Sequence, residues 1–133
     1  MHFKSTLSFV IILLLSSCGN NSNNIPLELN NGEKWTIIES MIVYIRAMEN
    51  DVASFENTPK KDYSALADKL KENIGLLTSN CTMEGKAHDE LHKWLMPYID
   101  QVKALSKPKD DETAEEVFKQ LQSSFKTFNQ HFK

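Results

Sequence analysis

Apolar residues recur through most of this chain in steps of three and four, the period of a helix with one buried face. Trp35, Ile38, Ile42, Ile45, Met48, Val52 and Phe55 form the first such stripe and predict a helix over 34–55. Asn57-Thr58-Pro59 stops it. Tyr63, Leu66, Leu70, Ile74 and Leu77 predict a second helix over 62–79, with Asp62 as its N-cap. Leu91, Leu95, Tyr98, Val102 and Leu105 predict a third over 86–106. Pro97 stands inside it and removes one backbone donor, so a kink is expected there. Ala114, Phe118, Leu121, Phe125, Phe128 and Phe132 predict a fourth over 113–132, opened by the capping-box pattern Thr113-Ala114-Glu115-Glu116. Lys60, Lys61, Lys69, Lys71 and Asp110 to Glu112 read as solvated faces and loops. No strand pattern of comparable strength competes. Four helices of similar length with short connections predict an all-α, up-down-up-down four-helix bundle over 32–133.

The start of the chain follows another pattern. Lys4 precedes Leu7 to Leu15, a run of nine mostly apolar residues, and Ser16-Ser17 follows it. A helix crossing the hydrocarbon needs about 20 apolar residues, so this run fits a cleaved export signal over 1–17. Leu15-Ser16-Ser17-Cys18 resembles the bacterial lipobox. That resemblance implies that Cys18 becomes the first mature residue and carries a thioether-linked diacylglycerol and an acylated amine. Two or more acyl chains anchor stably, at about 0.8 kcal/mol per buried CH₂. The resemblance also favours the outer over the inner membrane, since Gly19 and not Asp follows the cysteine. Residues 18–31, opening Gly-Asn-Asn-Ser-Asn-Asn after the cysteine, read as a tether. Ile25 to Leu29 could pack on the domain as a short extended piece, and Asn30-Asn31-Gly32 ends it as a turn. A dozen tether residues would reach about 40 Å at full extension.

Composition narrows the function. Residues 18–133 hold 14 basic side chains against 18 acidic ones, which argues against nucleic acid as partner. With Cys18 lipidated, Cys81 has no partner within the chain. An odd thiol outside the cytoplasm points to a metal ligand, an intermolecular bond or a reactive group, and equally to a small buried hydrophobe.

Cys81 lies in the densest chemistry of the sequence, Cys81-Thr82-Met83-Glu84-Gly85-Lys86-Ala87-His88-Asp89-Glu90-Leu91-His92. His88 and His92 are four apart, so a helix stacks them on one face within reach of one ion. Gly85 lets the preceding loop turn tightly and bring Cys81 and Met83 beside them. Thiolate and thioether favour Cu(I), while two imidazoles with a thiolate also suit zinc. Copper is therefore expected first and zinc second. In the predicted topology His131 reaches the same end of the bundle and is a candidate further ligand; as a terminal residue it equally suits a frayed, solvated end. The plain structural reading places His88 at the core edge, His92 in solvent and Met83 as a plug at the bundle's end.

Two catalytic look-alikes fail. His88-Asp89-Glu90-Leu91-His92 has Asp89 where the zinc-protease helix needs glutamate beside the first histidine. No Cys-x-x-Cys-His motif exists for c-type haem, and no haem is expected. With no nucleophilic triad or phosphate loop either, the chain is not expected to be an enzyme. The sequence resembles small lipoproteins of Bacteroidota-type bacteria, through the lipobox, the Asn-rich tether, and Ser79-Asn80-Cys81-Thr82-Met83 with Gly85, His88, Leu91 and His92. The resemblance implies an envelope location and no particular activity. The functional expectation is a membrane-anchored envelope protein that binds a metal for sensing, storage or transfer. The alternative is a metal-free module that engages an envelope protein.

Overall fold

The computed structural model describes residues 25–133; the expected export signal and Cys18 lie outside them. Four helices account for the domain: α1 Glu39–Phe55, α2 Tyr63–Ser79, α3 Gly85–Ser106 and α4 Asp111–His131. The described residues contain no β-strand, only two isolated bridges.

The predicted stripes are buried through most of their length, with Trp35, Ile38, Ile42, Tyr63 and Ile74 only half-buried and Ile37 and Met41 taking the core positions at the start of the first stripe. Ile45, Met48, Val52, Leu70, Leu77, Leu91, Tyr98, Val102, Leu105, Leu121 and Phe128 are all nearly or fully removed from solvent. Burying such side chains stabilises by about 1.5–3 kcal/mol each before the entropy of ordering them is charged. Trp94 stacks on Tyr98 with ring centroids 5.0 Å apart, and Phe125 packs at an angle against both. The indole N–H of Trp94 donates to the Ser124 carbonyl, so the largest core side chain leaves no polar atom stranded.

Neighbouring helices run in opposite directions. Tyr44, early in α1, meets Asn80 just after α2. Phe55 at the end of α1 packs on Tyr63 at the start of α2 and on Phe118 early in α4. Trp94, early in α3, reaches Ser124 late in α4. Arg46 and Glu49 of α1 both bond Asn129 of α4, closing the ring of four helices. The starts of α1 and α3 therefore share one end of the bundle with the ends of α2 and α4.

Two local expectations need correction. The first helix begins at Glu39, not Lys34. Trp35 is extended: its N–H donates to the His131 carbonyl and its carbonyl accepts from Lys133 N–H, a parallel bridge to the chain's end. This pairing satisfies backbone groups that a longer helix would have bonded internally. The fourth helix is capped by Asp110, whose Oδ1 accepts from Thr113 N–H at 2.8 Å and from the Thr113 hydroxyl at 2.6 Å. Thr113 thus serves the cap as a donor and is not the cap. Lys61 lies in an exposed loop, as expected, and there it closes the end of α1. Its ammonium donates to the Phe55 and Glu56 carbonyls, at 2.7 and 2.6 Å, where α1 leaves acceptors unfilled.

Candidate functional site

The segment before α1 docks on the shared end. Asn31 and Gly32 both take positive φ, as the tightest two-residue hairpin turn requires, and Asn30 and Glu33 exchange both backbone hydrogen bonds. The turn folds residues 25–30 back along the domain. Leu27 packs on the core, Glu28 N–H donates to Glu90 Oε2 at 2.9 Å, and the Trp35 indole donates to the Glu28 carbonyl at 2.7 Å. Residues 25–31 therefore lie against the folded domain, as expected of Ile25 to Leu29 as a short extended piece ended by a turn, and that part of the 18–31 stretch is not free tether.

Glu90 is the residue that sequence reasoning missed. It is a buried acid, 6 % exposed, with one oxygen on the Glu28 amide and the other 2.6 Å from the Lys93 ammonium. Burial alone would raise its pKa. The Glu28 N–H and the Lys93 ammonium outweigh that and hold the carboxyl below its usual range. Its only sequence signal is an acid one position before Leu91, on a helix with an apolar face.

The sequence-predicted site residues separate into three groups. His88 and His92 meet: their ring centroids are 4.3 Å apart, edge to face, with His88 half-buried and His92 exposed. Cys81 and Met83 are half-buried and pack against the hydrophobic core. Gly85 opens α3 at φ 75°, a left-handed geometry that suits glycine. His131 turns elsewhere, its Nδ1 2.9 Å from the Thr127 carbonyl. It lines a groove of about 480 Å³ between α3 and α4, together with Lys93, Trp94, Pro97 and Gln101. At 100° per residue, that edge of α3 lies away from His88 and His92, so His131 and the histidine pair flank α3 on different sides.

Among the described residues, no three His, Cys, Asp or Glu side chains stand close enough to hold one ion. The arrangement offers two imidazoles on adjacent turns, one half-buried and one exposed. No family model, curated protein or solved structure matches the chain.

Proposed function

We propose that this chain is a lipid-anchored, non-catalytic module of the bacterial envelope, held to the outer membrane through Cys18. The lipobox resemblance of Leu15 to Cys18 carries the proposal. The docked segment runs from the Asn31-Gly32 turn back along the groove between α3 and α4, where Ile25 stands with Pro97 and Gln101, so the anchored stretch leaves the domain beside that groove and on the other side of α3 from His88 and His92. The lipobox resemblance supplies the chemistry of attachment, and the likeness to Bacteroidota-type lipoproteins supplies the compartment. Replacing Cys18 by Ser tests it: the protein should move from the membrane fraction to the soluble one.

A second element is a metal ion on this module, copper ahead of zinc, for sensing, storage or transfer. The 4.3 Å approach of the two rings favours it, since i,i+4 imidazoles on a helix converge on one ion. Cys81, Met83 and His131 are not needed for such a clamp. Calorimetric titration of the full chain with Cu²⁺ and Zn²⁺ checks it, with uptake expected to vanish in His88→Ala. The competing reading is a metal-free module that engages an envelope protein. The packing of Cys81 and Met83 on the core favours it, and uptake of neither ion by the wild-type chain together with pull-down of an envelope protein would support it.

A further inference from the structure

We infer that Met96 extends the histidine pair into a ladder of donors that takes Cu(I), and that this thioether is what separates copper from zinc on the module. The inference rests on the reading of His88 and His92 as a metal clamp. His88, His92 and Met96 follow one another at intervals of four within the unbroken helix α3, so each stands about one turn beyond the last on a single face. Met96 is the most exposed large apolar side chain of the four helices, at 55 %. It leans on no core, while every apolar residue of α3 in core phase is buried. Its sulfur is therefore available from solvent on the turn after His92, which is itself exposed.

The donor chemistry gives the ladder its selectivity. Two imidazoles accept Cu²⁺, Zn²⁺ and Ni²⁺ alike, because nitrogen of this kind is borderline in softness. A thioether adds little for Zn²⁺ or Ni²⁺ and strongly favours Cu(I). His92, the middle rung, can serve an ion shared with His88 or one shared with Met96. His88 and Met96 are about 12 Å apart along the axis, too far to share one ion directly. The sulfur of Cys81, by contrast, is packed against the core and contributes nothing to this face.

The test compares two ions on the full chain. Cu(I) is presented in competition with a chromophoric Cu(I) chelator, and Zn²⁺ is titrated in parallel. Met96→Leu should weaken Cu(I) binding by about tenfold or more and leave Zn²⁺ unchanged, the cost expected when a soft ligand is lost. His92→Ala should weaken both ions. Because Met96 is exposed, Met96→Leu should keep the wild-type helicity by circular dichroism. Cu(I) affinity unchanged in Met96→Leu, with binding of either ion still dependent on His92, would overturn the ladder and leave the histidine clamp standing. Uptake of neither ion, or uptake indifferent to His88 and His92, would overturn the clamp and the ladder together.

Discussion

Tyr98 carries a hydroxyl into the centre of the bundle, where it is fully buried and finds no hydrogen-bond partner among the described residues. Burial pushes its phenol pKa far above the ordinary value, with the Asp51 charge adding to the effect. A buried hydroxyl without a partner costs about 1–3 kcal/mol, and removing it leaves the ring's packing on Trp94 and Phe125 intact. Tyr98→Phe should therefore unfold in urea at the wild-type midpoint or above it, by up to about 1 kcal/mol. A loss of stability would mean that the hydroxyl has a partner. Glu90 is the opposite case, a buried acid with every need met. Its carboxyl titrates lower in the folded chain than in the unfolded one, so its contribution is present above pH 4.5, the unfolded value. That contribution is lost as pH falls through the lower folded pKa. Glu90→Gln keeps an acceptor for Glu28 but gives up the ionic partner of Lys93. It should cost about 1 kcal/mol near neutral pH and converge with wild type in strong acid. Urea midpoints measured from pH 7 down to pH 3 would reveal the convergence, and a constant gap would refute it.

At the scale of the element, the caps decide where helices begin. Asp110 satisfies the first turn of α4 from its own carboxylate, with Asp111 and Glu112 adding negative charge at the helix's positive end. Asp110→Ala should lower the melting temperature, Asp110→Asn should retain most of it, and Glu116→Ala should change little. Equal losses from Asp110→Ala and Glu116→Ala would restore the capping box that the sequence pattern suggests. The comparison also marks where sequence reading succeeds. The four helices are legible because their stripes are local: Leu66, Leu70 and Leu77 must share a face whatever they pack against. Asp62 is legible as a cap for the same reason, and it accepts from Ala65 N–H. Trp35 is illegible because it continues the period of α1 while its backbone bonds His131 and Lys133, nearly a hundred residues away. Glu90 is illegible because its partner is a backbone amide 62 residues distant. In the candidate site, the histidine spacing is local and gives the 4.3 Å pair. The approach of Cys81 and Met83 depends on how a loop lies on the core, and no periodicity encodes that. Met96 was hidden by its type, since a methionine on a helix reads first as core.

At the scale of the molecule, the docked segment shortens the proposed leash. With residues 25–31 held by Glu90, Trp35 and the Asn31-Gly32 turn, only residues 18–24 lie between the folded domain and the anchor proposed at Cys18. Seven residues span at most about 25 Å, against about 40 Å for a tether of a dozen. The domain would therefore ride close to the bilayer surface, with the groove between α3 and α4 that Ile25 lines nearest to it. No helix among the described residues is long and apolar enough to cross a membrane. A single acyl chain holds only marginally, so the two chains of a diacylglycerol at Cys18 already suffice for stable retention and an acylated amine would strengthen it. Cells expressing the full chain should incorporate labelled palmitate into it and keep it in the membrane fraction. Cys18→Ser should abolish the label and release the protein. Unlabelled wild-type protein, or a Cys18→Ser variant that stays with the membrane, would sink the anchor and with it the argument that the groove between α3 and α4 lies toward the bilayer.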